Sequence, residues 1–202
     1  MLLAFVVIVV WQKFSDAEDV VVQEAGAAVT INRLAEGIGG AAGAALHDRL
    51  LDYIQTAIVE DWPAMEQGRL SPAGTHALDE LYTALLTFHP GDLREAGILT
   101  ESLRQLSVLT QARRERLVMA SGTVPGVIWF VLFGGAVLTV CFTFFFGTEN
   151  LLAQAVMTGA LSVLIFSAPF VVVAIDRPFA GSVKVTPDPL AVVLADFTKA
   201  PP

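Results

Sequence analysis

The chain has 202 residues, 54% of them hydrophobic, with a formal charge of −8 and a single cysteine, Cys141. The acidic balance argues against nucleic acid as a partner, which needs a basic face, and the lone cysteine excludes an intrachain disulfide framework and a cysteine-ligated zinc site. A mean hydropathy of +0.64 is high for a soluble domain and modest for a pure membrane bundle, so membrane helices plus a sizeable soluble part are expected.

In chain order, residues 1–11 (MLLAFVVIVVW) are apolar, but as a helix they reach only about 16 Å, half a bilayer. They lack a basic n-region and a small-residue cleavage site, so they do not read as a signal peptide. They read as the cytoplasmic half of a membrane helix, a candidate pore helix, whose outer half is missing through truncation or a start codon placed too late. An in-frame apolar segment upstream of Met1 is the corresponding expectation for the gene.

Residues 12–120 are expected to form helices only, as a cytoplasmic helical region. The first helix continues over 12–38, with Glu24, Ala27, Ala28, Ile31 and Leu34 on a mixed face, until Gly37, Gly39, Gly40 and Gly43 break it. A second runs from about 43 to 61, with Leu46, Leu50, Ile54 and Ile58 recurring every four residues, and Pro63 and Gly68 mark its end. A third begins at Ser71 with Pro72 at the first helical position, carries Leu78, Leu81, Tyr82 and Leu85, and stops at His89-Pro90-Gly91. A fourth starts at Asp92 as N-cap, with Glu95 at the capping-box spacing, and Leu99, Leu103, Leu106 and Leu109 line one side.

Residues 121–175 read as a transmembrane hairpin. Thr123–Gly147 and Leu151–Ile175 contain no Asp, Glu, Lys, Arg or His. At about 24 residues each they reach about 36 Å as helices, enough for a hydrocarbon core of about 30 Å. Arg113, Arg114 and Arg116 stand before the hairpin, Arg177 and Lys184 after it, and the connecting turn has no basic residue. The positive-inside rule then places both flanks in the cytoplasm. Residues 176–202 form a cytoplasmic tail with an extended patch at Val183–Val185 and a helix over Leu190–Phe197.

Signals for catalysis are poor. The chain has no G-x-S-x-G, P-loop, H-E-x-x-H or C-x-x-C, and the histidines, His47, His76 and His89, lie in separate amphipathic segments. No enzymatic activity, no cofactor and no metal site are expected. Glu60-Asp61-Trp62-Pro63 reads as a solvated helix end with Trp62 as a packing anchor. Gly122-x-x-x-Gly126 and Gly134-Gly135 permit close helix approach. Proton relays and voltage sensors need charge within the membrane, which neither hairpin helix offers. Any ion path must therefore follow the N-terminal helix, where Lys13, Asp16, Glu18, Asp19 and Glu24 succeed the apolar start.

Three stretches carry a family resemblance. Leu3-Ala4-Phe5, then Trp11, Lys13-Phe14-Ser15 and Ala17-Glu18, are similar to the pore-helix pattern of bestrophin ion channels. Arg113-Arg114-x-Arg116-Leu117 followed by Pro125-x-x-x-Trp129-x-x-Leu132-x-Gly134 resembles the bestrophin-like family of bacterial membrane proteins, a domain of unknown function. Asp176-Arg177-Pro178-Phe179-Ala180-Gly181 resembles the P-F-G element after the last bestrophin membrane helix. The resemblance implies an all-α membrane protein: a bestrophin-like helical bundle with a two-helix transmembrane hairpin and a cytoplasmic helical region. It implies a multi-pass protein of the bacterial inner membrane, with the bulk of the soluble part and the C-terminus cytoplasmic. Its implied partners are the lipid bilayer, inorganic ions and other copies of the chain, as a pentamer. Phe5 would form the apolar pore neck, which gates by dewetting, and Trp129, Gly134, Asp176, Pro178, Phe179 and Gly181 would be structural motif residues. One departure is that Gly181 leads to Ser182-Val183-Lys184-Val185 instead of an acidic run, so a calcium clasp, which needs several oxygen ligands, is not implied. The expected function is an oligomeric ion channel with passive permeation through the neck. The other reading is a non-conducting scaffold or sensor whose cytoplasmic helices bind a partner.

Overall fold

The longest helix of the molecule is the one that the sequence divides between an apolar start and a polar continuation. A computed structural model describes residues 2–120, 126–144, 151–181 and 183–199. In it, α1 runs unbroken from Leu2 to Ile38, about 55 Å at 1.5 Å per residue. The boundary at residues 11 and 12 therefore lies inside one helix. Its buried apolar stripe reads Val10, Phe14, Ala17, Val21, Ala28, Ile31 and Ala35, steps of three or four, with residue 24 between Val21 and Ala28, that keep one face toward the core. The last five of these are all small or β-branched, which lets another helix approach closely. That helix is α5 (Leu93–Met119), which makes the most extensive packing contact of the fold with α1.

Between them the chain folds back through α2 (Gly40–Thr56), a π-helical turn (Ala57–Asp61), α3 (Trp62–Glu66) and α4 (Ala73–Thr87). Only the Gly39-Gly40 step breaks the first helix: both have positive φ, 69° and 58°, a conformation that costs a glycine nothing. Gly43, expected among the breakers, is a helical residue and serves packing instead. A Cβ there would lie 2.4 Å from the Ala35 carbonyl oxygen. The second helical run also continues past its expected end: Pro63 sits within the first turn of α3, where its missing N–H is harmless, and the path stops at Gly68, whose φ is 67°.

Helix ends follow the local chemistry of the sequence. The Asp92 side chain accepts from the Glu95 backbone N–H at 2.7 Å, and Glu95 accepts in return from the Gly91 N–H at 2.7 Å. The capping box is present, with its reciprocal bond moved one residue upstream. Pro72 is the N-cap of α4, and Ser71 Oγ accepts from Ala73 N–H. Arg94 donates to the Gly37 carbonyl at 3.0 Å, occupying one of the free acceptors at the end of α1.

α6 (Gly126–Thr143) and α7 (Leu151–Ile175) pack on each other, and α7 also packs on α1. Among the described residues, one helix is long and apolar enough to cross a membrane, over Gln154–Ile175, while the described part of α6 holds a shorter apolar stretch, Trp129–Thr143. Residues 123–125 and 145–147 of the expected first span lie outside the described residues. The tail ends in α8 (Asp188–Lys199), which lays Leu190, Val193 and Phe197 against the core and packs on α1 and α2. The expected extended patch at 183–185 is irregular, and all regular structure among the described residues is helical.

Two glycines test this packing. Gly43→Ala should lower thermal stability by about 1–3 kcal/mol, because the methyl meets a backbone carbonyl that cannot move away. Gly97→Ala on exposed α5, where a Cβ meets nothing within 4 Å, should stabilise by about 0.5–1 kcal/mol. Thermal unfolding in detergent checks both.

Candidate functional site

Four helical segments converge on a buried cluster of charge. On the α1 stripe, the position between Val21 and Ala28 is held by Glu24, fully buried. On α5, the stripe Leu106–Leu109 continues into Arg113 and Arg116, 6% and 0% exposed. The π turn supplies Asp61, also fully buried, and α2 supplies Tyr53.

Arg116 is the hub. Its Nε and Nη2 donate to the two Glu24 oxygens at 2.7 and 2.9 Å, a bidentate pair whose planar geometry favours guanidinium over ammonium. The same Nη2 lies 3.5 Å from Asp61 Oδ2. Arg113 approaches Asp61 from the other side, with Nε and Nη2 at 2.9 and 3.4 Å, and reaches Thr75 Oγ1 at 3.4 Å. The Tyr53 hydroxyl donates to Glu24 Oε1 at 2.6 Å. Two carboxylates and two guanidinia thus cancel, and each carboxylate oxygen has a donor. Such a network ties α1, α2, the π turn and α5 together in one register.

The π turn places the acid. The Trp62 N–H donates to the Ala57 carbonyl, five residues back, and this wider turn puts both Asp61 and Trp62 on the buried side. Gly74 on α4 leaves the room. A Cβ there would stand 2.5 Å from both Asp61 oxygens and 2.8 Å from Arg113 Nη2.

Trp62 covers the hub from the other face. The Arg116 guanidinium carbon lies 4.6 Å from the indole centroid, a cation–π contact in a desolvated site, and Arg116 Nη1 is 3.5 Å from Met65 Sδ. Burial alone would lower the Arg116 pKa, but the Glu24 carboxylate, followed by Tyr53 and Asp61, holds it above its ordinary value. Burial, then the Glu24 charge, pushes the Tyr53 phenol well above its ordinary value of 10.0.

The motif residues expected from sequence fall in three places. Phe179, 1% exposed, meets Trp62 edge-on at 5.8 Å between centroids. Pro178 is buried, and its carbonyl accepts from Val185 N–H at 2.7 Å. Gly181 has a φ of 109°, and Asp176 N–H donates to the Val172 carbonyl. These stand together in the turn after α7. Trp129 and Gly134 lie on α6, where Trp129 stacks on Phe133 at 5.9 Å and a Cβ on Gly134, Gly135 or Gly126 would meet nothing within 4 Å. The close approaches made by glycine are at Gly43 and Gly74 instead. Phe5 is on the first turns of α1, and its side chain lies outside the described residues.

Three sequence readings change. Asp61 is not at a solvated helix end. Arg113 and Arg116 are not free flanking charges, because two of the three arginines before the hairpin are neutralised by carboxylates, and Arg114 is the exposed one. Lys184 is paired as well, with Glu66 at 2.5 Å. Glu24 is likewise not on an exposed face and cannot front an ion path. The missed signal was a charged residue within an apolar stripe at helical spacing, once on α1 and twice on α5.

The histidines remain apart: His47 Nδ1 is 2.6 Å from Asn32 Oδ1, His76 is 3.5 Å from Glu80, and His89 Nδ1 is 2.8 Å from the Thr87 carbonyl. Among the described residues, no group of three or more His, Cys, Asp or Glu side chains is placed to hold a metal ion.

Removing one partner leaves an uncompensated buried charge. Arg116→Met and Glu24→Gln should each destabilise by about 3–5 kcal/mol, while Glu24→Met with Arg116→Met should lose less than the sum. Denaturant unfolding of the three variants checks this. The phenol gives a pH signature. Because the folded pKa of Tyr53 lies above its unfolded value, its contribution is fully present below about pH 10 and is lost as pH rises through the folded pKa. Melting temperature should fall above pH 10 in the parent chain and fall less steeply in Tyr53→Phe.

No match was found among curated proteins or among solved structures. The model of the bestrophin-like domain family matches residues 1–190, which include α1–α7, the buried charge cluster and the turn after α7; the chain belongs to the bestrophin-like family.

Proposed function

We propose that this protein is a multi-pass protein of the bacterial inner membrane that assembles from several copies and conducts ions passively along α1. One observation carries the proposal. α6 and α7 turn large apolar side chains outward, with Phe130 80% and Phe170 73% exposed, and beside them α1 passes without a break from exposed Ile8 and Trp11 to exposed Asp16, Glu18 and Asp19. Outward apolar faces of this size need lipid or another protein chain to cover them. A continuous helix leading from that layer into an acidic region provides a path that the chargeless hairpin does not.

In this arrangement α6 and α7 form the scaffold hairpin, and exposed Arg114 and Arg177 lie on the cytoplasmic side. Five copies of α1 would surround the axis, with Phe5 as the apolar neck, which opens by wetting. Glu24, neutralised by Arg116, would support the wall of the path without facing it. The chain transports and does not catalyse.

A second reading has its own support. A groove of about 260 Å³ between α2 and α4, lined by Ile38, Leu46, Leu85 and Phe88, lies beside Leu86, which is 67% exposed. A non-conducting scaffold or sensor would bind a partner helix there.

Reconstitution of the full chain in planar bilayers separates the two. The channel reading expects single-channel currents and an oligomer in detergent, with Phe5→Ala raising the open probability. A monomer, or silence of both the parent chain and Phe5→Ala, would favour the scaffold.

A further inference from the structure

The turn after α7 reaches the charge cluster through one side chain. Trp62 touches three things that are distant in sequence. Its ring face carries the Arg116 guanidinium at 4.6 Å. Its ring meets Phe179 in a T-shaped contact at 5.8 Å, with the planes at 84°. Its Nε1–H donates to the Val185 carbonyl at 3.4 Å. Phe179 and Val185 stand on the two sides of a turn closed by the bond from Val185 N–H to the Pro178 carbonyl, and Lys184 beside them pairs with Glu66 at the end of α3. α3 is therefore clasped to the turn by an aromatic contact, a hydrogen bond and an ion pair. The other face of Trp62 presses on the guanidinium that holds Glu24 of α1 by two bonds.

We propose that this turn is a lever on α1, acting through Trp62 and Arg116. Displacing Phe179 and the Val185 carbonyl frees Trp62 to rotate. Arg116 then loses its cover, water reaches the Glu24–Arg116 pair, and the middle of α1 loosens. The indole suits this role because it offers a π face to a cation, a T-shaped contact to a ring and a donor to a carbonyl at the same time. A partner or ligand that drew the segment between α7 and α8 away from α3 would thus be felt by the buried carboxylate of Glu24, 155 residues before Phe179 in the chain. The device does not depend on whether α1 conducts ions.

Hydrogen exchange of the full chain in lipid nanodiscs tests the lever. Phe179→Ala should speed exchange about tenfold, or about 1.4 kcal/mol of local opening, over residues 20–28 of α1 and 109–119 of α5, with residues 77–85 of α4 unchanged. In a Trp62→Leu background, which cuts the bridge, adding Phe179→Ala should change exchange over residues 20–28 by less than twofold. If Phe179→Ala does not fold, Phe179→Leu keeps apolar volume and removes the aromatic ring, and the same pattern is expected at smaller amplitude. Three results would overturn the proposal: no change in α1, a rise of equal size in α4, or full additivity in the Trp62→Leu background. The last would show that the disturbance travels directly from α7 to α1.

Discussion

Arg116 is the residue on which the remaining architecture depends. A guanidinium with no exposed surface cannot shed its charge, because its pKa lies far above any accessible pH, so the protein has to surround it. Glu24 supplies a bidentate carboxylate from α1, Asp61 a second from the π turn, Trp62 a π face and Met65 a polarisable sulfur. The partners come from two distant stretches of chain, α1 and the run from Asp61 to Met65, and must be present together. The pairing yields little net stability against an apolar core of the same shape. Its effect is on specificity: a sliding or rotated α1 would leave a buried charge alone, which is far more costly than a displaced methyl group.

This requirement accounts for several features that look unrelated. The π turn exists where Asp61 has to face inward beside Trp62. Gly74 has no side chain where one would strike the Asp61 oxygens. Burial, then the Glu24 charge, raises the Tyr53 pKa, and the phenol hydrogen completes the Glu24 oxygen that Arg116 shares. Alanines along α1 bring α5 close enough for its arginines to reach across. The cluster also lies toward the end of α5 from which the chain passes to the apolar pair α6 and α7, so α1, α2 and α5 are tied together next to the region where outward-facing apolar side chains begin.

Much of the helical layout was legible along the chain. The Asp92–Glu95 cap, the stop before Pro90 and the stripe of α4 are local features, and local chemistry decides them. The buried cluster was harder to read. Glu24 in the series from Val21 to Ala28, and Arg113 and Arg116 after Leu109, look like ordinary surface charges until the opposite partner is placed, because a lone charge in an apolar stripe has two outcomes and the chain alone does not choose. Glu60-Asp61-Trp62-Pro63 misled for the same reason: proline and two acids suggest a frayed, wet end, yet a wider turn carries Asp61 and Trp62 inward. The glycines likewise separate only in three dimensions. Gly39 and Gly40 bend the chain, Gly43 and Gly74 make room, and Gly134 faces open space.

By itself the amino-acid sequence determined the helical class, the order of the elements, the two chargeless apolar segments and the motifs that mark the family, because periodicity, capping and hydropathy act over a few residues. Only the tertiary structure decided which charges are buried, which glycines are contact points and how the turn after α7 meets α3. Those outcomes depend on groups up to 123 residues apart, as between Trp62 and Val185, and the desolvation that makes each pairing obligatory arises only when the helices close around it.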